Sequence, residues 1–282
     1  MFAEFFKIQC FRYFCFQIEL IMKELAGKHA LVCGSTQGIG LASAMLMASR
    51  GAKITLIARN EGKLKEALGQ LDDSEGQEHD YLVADFSQPD SLLETLKGYV
   101  SGGAQPDILI NNTGGPKGGP IKDAETSEFI AAFNQHLICN HILVQNLYPG
   151  MKEKGGGRII NVISTSVKQP LNNLGVSNTI RGAVANWSKT LANELGAFNI
   201  TVNNVLPGAT NTGRLQSIAE AKAGKTNDSV EDVFAGMAAQ SPMQRIAEPE
   251  EVAEAIAFLA SDRASYINGI NVPVDGGRTK SL

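Results

Sequence analysis

The chain has 282 residues, a net charge of -4 and 43% hydrophobic residues. That length is normal for one α/β domain, and no low-complexity linker divides it. Lys and Arg are scattered, so no basic stripe marks a nucleic-acid surface, and no apolar run approaches the roughly 20 residues that cross a bilayer.

Residues 1–21 hold six of the twelve Phe and two of the four Cys, a composition unlike everything that follows. Lys7 and Arg12 interrupt the apolar stretch and no small-residue cleavage site follows, which argues against a secretory signal. The expectation is an extension outside the pattern, with Met22 as the natural start and 22–282 as the domain; the alternative is an aromatic arm that packs on the domain or on a partner. Cys10, Cys15, Cys33 and Cys139 show neither metal-ligand spacing nor a disulfide framework, which suits a reducing cytoplasm.

From His29 onward apolar runs alternate with amphipathic ones. HALVCG precedes a helix from Gly38, KITLIAR precedes another, and DYLVADF precedes a third from Pro89. DILINN, a long helical stretch from about Thr126 to Lys154, the β-branched run RIINVIS ending at Ser164, a helix from about Ser177 to Phe198, and ITVNNVLPG continue the series. Strand–helix alternation means parallel pairing, and right-handed crossovers then place helices on both faces. The expected fold is a single doubly wound parallel α/β sheet, Rossmann-like. Residues 209–248 break the pattern, are too long for an ordinary connection, and are expected to form a lid over a substrate. A helix from Pro249 and a last strand, INVPVDGG, close the domain.

Gly34-Ser35-Thr36-Gln37-Gly38-Ile39-Gly40 follows the first strand and opens a helix. In that context glycines make a tight turn, admit a phosphate against bare backbone, and let the helix sit close to the strand with its N-terminal dipole facing a pyrophosphate. Ser35 and Thr36 add hydroxyl donors. The second strand ends Ile57-Ala58-Arg59-Asn60. No acid stands there to bind ribose hydroxyls, whereas Arg59 can fork onto a 2′-phosphate, so NADP(H) is expected over NAD(H).

With Gly34/Gly38/Gly40, Asp85-Phe86, Asn111-Asn112-Thr113-Gly114, Pro207-Gly208 followed by Thr210 and Thr212, and Asp275-Gly276-Gly277, residues 25–278 resemble the short-chain dehydrogenase/reductase family, most of all its 3-oxoacyl-ACP reductase-like members. The resemblance implies that Asp85 contacts the adenine, that Asn112 to Gly114 lie along the ribose, and that Pro207 to Thr212 hold the nicotinamide and its phosphate. It also implies a homotetramer built through the stretches 126–154 and 177–198 and the final strand.

The family's chemistry uses a Ser, a Tyr, a Lys four residues after the Tyr, and an Asn on the preceding long helix. Counting back from Leu191-Ala192-Asn193-Glu194-Leu195 puts the Tyr position at Ser177 and the Lys position at Arg181, and thirteen residues earlier lies Ser164. The Asn position falls at His136, or at Asn134 if the helix carries a two-residue shift. A phenol of pKa about 10 can be poised to give up its proton, whereas a serine hydroxyl is far less acidic and stands several ångströms short. Arg181 can still hydrogen-bond the nicotinamide ribose as a cofactor-binding residue but, always protonated, cannot relay protons as Lys does.

Two functions follow. The first is a carbonyl reductase, acting on a ketone or 3-oxoacyl thioester, with His136 as acid, Asn140 orienting it, and Ser164 orienting the carbonyl; the alternative for His136 is a helix-core histidine satisfied by backbone. The second is a cofactor-binding protein that has lost the reaction and serves as sensor or structural partner. Arg214, Lys222, Lys225 and Arg245 in the lid read as solvated charges, with attraction of an anionic carrier as the alternative. Neither function involves nucleic acid, membrane or metal.

Overall fold

The computed structural model describes residues 23–226 and 228–281; the expectations for residues 1–21 and for Met22 as a start lie outside them. Seven strands form one parallel sheet: β1 (His29–Cys33), β2 (Lys53–Ala58), β3 (Asp80–Val83), β4 (Ile108–Asn111), β5 (Gly157–Val162), β6 (Ile200–Pro207) and β7 (Asn271–Val274). Their spatial order is β3-β2-β1-β4-β5-β6-β7, so the chain reverses direction between β1 and β4. Open α/β sheets bind ligands at that reversal, outside the C-terminal strand ends.

Nine α-helices are described: α1 (Gly38–Ser49), α2 (Glu61–Leu68), α3 (Pro89–Ser101), α4 (Thr126–Phe133), α5 (Cys139–Glu153), α6 (Gly175–Leu195), α7 (Gly213–Thr226), α8 (Val230–Ala238) and α9 (Pro249–Ala260). Two apolar clusters cover opposite faces of the sheet. One joins α1, α2 and α9 to β1 and β2 through Met47, Leu56, Leu64 and Ile256. The other joins α3, α5 and α6 through Leu92, Leu143, Met151 and Leu191. Every residue of β5 is buried, the signature of an inner strand covered on both sides.

One expectation is corrected. The stretch 126–154 is not one regular helix: a π-helical turn, Asn134–Ile138, separates α4 from α5, and its wider winding changes which side chains face inward. The stretch 209–248 carries α7 and α8, and its base is pinned by a parallel bridge between Thr210 and Ala247, with Ala247 N–H donating to Ala209 O at 2.9 Å and Asn211 N–H to Ala247 O at 2.8 Å.

Four adjacent strands, β4 to β7, carry a ladder of asparagines in register, Asn111 to Asn161 to Asn204 to Asn271. Asn111 Nδ2 donates to Asn161 Oδ1 at 2.8 Å, Asn161 Nδ2 to Asn204 Oδ1 at 3.0 Å, and Asn204 Nδ2 to Asn271 Oδ1 at 2.8 Å. Asn161 Nδ2 also reaches Ser188 Oγ on α6 at 3.0 Å. The ladder ties β4, β5, β6 and β7 together just beneath the strand ends that carry the site.

Candidate active site

The glycine loop is built by close approach. Gly34 has φ +58°, and a Cβ there would stand 2.4 Å from Asn112 O; one on Gly40 would stand 2.3 Å from Gly34 O. Both contacts lie far inside van der Waals distance, so the loop, the start of α1 and the end of β4 tolerate only hydrogen at these points. Gly38, at φ +55°, turns its bare side toward Thr212, whose Cγ2 would be 3.0 Å from an added Cβ. No side chain caps α1 at Gln37, and its first turn carries no acid. Its free N–H groups and positive dipole end therefore face the crevice, as a pyrophosphate requires.

Several expected cofactor residues do something else with their side chains. Ser35 is buried and its Oγ accepts the Ile57 N–H at 3.1 Å, so it anchors the loop to β2; Thr36 is the more exposed hydroxyl. Asn112 spends its amide on Cys33 O and Gly34 O, both at 3.3 Å, which leaves its backbone toward the crevice. Phe86 is a core residue among Leu92, Leu96 and Cys139. Asn60 caps α2, its Oδ1 accepting Lys63 N–H at 2.9 Å. Asp85 accepts the Ser87 N–H at 2.9 Å; that bond first, and the nearby Arg59 charge last, hold its carboxyl below the usual range. Arg59 is exposed with no acid bridged to it among the described residues. Gly208 is required because a Cβ would stand 2.8 Å from Asp275 Cα. Pro207 ends β6, Thr210 donates to Gly208 O at 3.3 Å, and Thr212 donates to Thr210 O at 3.3 Å.

At the C-terminal end of β5 the catalytic candidates come together. Ser164, in extended backbone, accepts the Ser166 N–H at 3.1 Å through Oγ; its own hydroxyl hydrogen is left to donate. Arg181, 7% exposed on α6, sends Nη1 to Val162 O at 3.2 Å. This places its guanidinium at the same strand end. Burial first, and the charge of Arg214 second, lower its pKa to about 10. Ser177 lies one turn earlier on the same helix, half-buried.

His136 behaves differently from the acid expected of it. Its side chain projects from the π-turn onto the loop that follows β4, where Nδ1 meets Thr113 Oγ1 at 2.6 Å. Thr113, not Asn140, orients it. The ring is 1% exposed and Nε2 is sealed off without a partner. Burial, then the positive charges of Arg181 and Arg214, push its pKa down to about 2. An imidazole that stays neutral and sealed holds the wall of the site rather than delivering a proton. His141 faces elsewhere, accepting Trp187 Nε1 at 3.3 Å, and no cluster of metal-ligating side chains occurs among the described residues.

The neutral histidines have a consequence for stability. His29, held by Thr55 at 2.8 Å, is lowered to about 4, mainly by burial. In the unfolded chain both rings protonate near pH 6.5, while the folded chain keeps them neutral. The unfolded state thus binds more protons, and stability, full above about 6.5, falls as pH drops toward the folded values, by up to about 1.4 kcal/mol per pH unit per histidine. Urea unfolding at pH 7.5 and 5.0 should show the loss, and His136→Asn should remove about half of it.

Arg214, which the sequence offered as a solvated charge or an attractor of an anionic carrier, is placed in the site itself. It turns from the first turn of α7 across the crevice, its guanidinium donating to Pro116 O. Among the other lid charges, Arg245 pairs with Glu251 through Nη1 at 2.6 Å, while Lys222 and Lys225 are solvated as expected. Nothing local distinguishes Arg214, since its partner is 98 residues away.

Residues 34–279 match the family described as enoyl-(acyl carrier protein) reductase. The chain is 32% identical over 256 residues to the 3-oxoacyl-(acyl-carrier-protein) reductase FabG of Vibrio cholerae, covering 90% of this chain and 98% of that one. It is 29% identical over 259 residues to the NADPH-dependent reductase BacG of Bacillus subtilis, covering 92% and 100%. The structure of L-sorbose reductase from Gluconobacter frateurii complexed with NADPH and L-sorbose superposes with a TM-score of 0.86 at 32% identity, covering 93% of this chain and 100% of that one. The cradle geometry, the strand order and these likenesses agree: the chain belongs to the short-chain dehydrogenase/reductase family, NAD(P)H-dependent oxidoreductases acting between carbonyl and alcohol.

Proposed function

We propose that the protein is an NADPH-preferring carbonyl reductase in which Arg181 and Ser164, rather than a tyrosine, stabilise the negative charge on the carbonyl oxygen. The observation that carries this reading is the placement of the buried Arg181 guanidinium against Val162 O, at the strand end where Ser164 stands. When bound, the nicotinamide supplies a hydride. As charge develops on the substrate oxygen, fixed donors stabilise it without having to reorganise. Arg181 keeps its proton throughout, so the alkoxide is protonated from solvent while Ser164 holds its orientation. Thr113 and His136 keep the Asn112–Gly114 turn in place.

The NADP(H) preference rests on Arg59, exposed beside the end of β2 with no acid at Asn60. BacG and the sorbose reductase complex both name NADPH, which supports it. Arg59→Ala should weaken NADPH binding by about 10- to 100-fold while leaving NADH within about threefold, since only the 2′-phosphate loses a charge-assisted fork. Titration of both cofactors checks this.

Exposed Ile130 and Phe133 on α4 and Ile270 before β7 support a homotetramer assembled through these surfaces. A cytoplasmic location accords with the two buried thiols, Cys33 and Cys139, which remain free. The absence of a phenol at Ser177 favours the second reading, a cofactor sensor without turnover. NADPH oxidation against ketones, oxo acids and 3-oxoacyl thioesters separates the two; tight NADPH binding with no turnover on any of them would overturn the reductase.

A further inference from the structure

We propose that Arg181 and Arg214 form a carboxylate clamp and that the substrate is a short oxo acid, its carboxylate one or two carbons from the carbonyl that is reduced. The inference rests on the reductase reading and narrows its substrate class.

Both guanidinium groups converge on Gly115. A Cβ built there would stand 3.7 Å from Arg214 Nη2, 3.9 Å from Arg214 Nε and 3.9 Å from Arg181 Nη2. Because Gly115 has no side chain, the space between the two forks stays open. Neither fork has a carboxylate partner among the described residues, whereas Arg50, Arg158, Arg245 and Arg263 each have one. Arg158, as buried as Arg181 at 7% exposure, is matched by Asp262. Arg181 is matched by nothing anionic. The charge that bears on it is another cation, Arg214, and both bear on His136, which is neutral. A buried cation facing a second cation is costly until an anion arrives, and planar forks suit a carboxylate.

The position fixes how far the anion stands from the reacting group. Arg181 also touches the strand end beside Ser164, so an anion between the forks lies within a few bonds of the carbonyl. The phosphate of a carrier's pantetheine arm is separated from its thioester carbonyl by the whole arm and does not fit there. A carboxylate on the substrate itself does.

The test compares acetoacetate and 2-oxobutanoate with their methyl esters under NADPH oxidation, in wild type and Arg214→Gln. Wild type is expected to favour at least one acid over its ester by about 10- to 100-fold in kcat/KM, the range of a charge-assisted bond pair. Arg214→Gln should raise KM for the acid and bring the acid-to-ester ratio near unity. Equal rates on acid and ester, or a preference that survives Arg214→Gln, overturn the clamp. So does a variant whose only defect is weaker NADPH binding, which would place the forks on the cofactor. If no carbonyl compound is turned over, the reductase reading fails separately. Calorimetric titration of acetoacetate and 2-oxobutanoate into the protein with NADP+ bound then decides the clamp: binding abolished by Arg214→Gln upholds it, and no binding to wild type overturns it.

Discussion

Replacing Arg181 with methionine is expected to lower kcat on a carbonyl substrate by about 100- to 1000-fold, the loss found when one preorganised donor to a developing oxyanion is removed. Methionine keeps the length and apolar stem of the buried side chain but supplies neither charge nor donors. The fold should survive, because Arg181 makes a single hydrogen bond to the strand, to Val162 O. Arg181→Lys is the informative companion. Lysine retains the charge but, as a compact ammonium, cannot bond Val162 O and reach the substrate with separate arms of one plane. It should recover part of the rate, leaving a deficit of about tenfold, roughly one hydrogen bond. Single-turnover NADPH oxidation together with a separate NADPH titration distinguishes a rate defect from a binding defect. Unchanged kcat in Arg181→Met would remove Arg181 from the chemistry.

The second large effect concerns stability. Asn161 is wholly buried and serves three partners at once: Asn111, Asn204 and Ser188. Asn161→Leu keeps the branched shape but leaves Asn111 Nδ2 without its acceptor and takes the donor from Asn204 Oδ1 and Ser188 Oγ. Each orphaned buried group costs about 1–3 kcal/mol, so a total of about 3–5 kcal/mol is expected. Against a typical stability of about 5–15 kcal/mol this brings a domain near unfolding. Thr201 gives the opposite case on the neighbouring strand. Its Oγ1 is already buried without a partner, so Thr201→Val removes an unsatisfied group and should be neutral or stabilising by up to about 1 kcal/mol. Urea midpoints measured at unchanged m-value check both.

Much of the molecule was legible in the residues because it depends on local patterns. Apolar runs such as HALVC and RIINV could be read as buried parallel strands since burial on both faces demands continuous hydrophobicity. Gly34, Gly38 and Gly40 announced the phosphate turn because positive φ and sub-van-der-Waals approach admit hydrogen alone. Ser164, Ser177 and Arg181 were placed by counting along a helix and strand of regular pitch.

The π-turn at Asn134–Ile138 was not legible, since nothing in NQHLI disturbs an α-helical period. Nor was the state of His136: its ordinary pKa made it an acid on paper, and only burial among Arg181, Arg214 and Thr113 makes it a neutral post. The asparagine ladder required strand register, which pairs residues about 40 to 70 positions apart. The sequence by itself thus determined the fold and the glycine turn after β1, both short-range properties of composition and spacing. The convergence of Arg181 and Arg214 on Gly115 was decided by the tertiary structure alone, because the electrostatics of a site sum over whatever the fold brings within a few ångströms, regardless of separation along the chain.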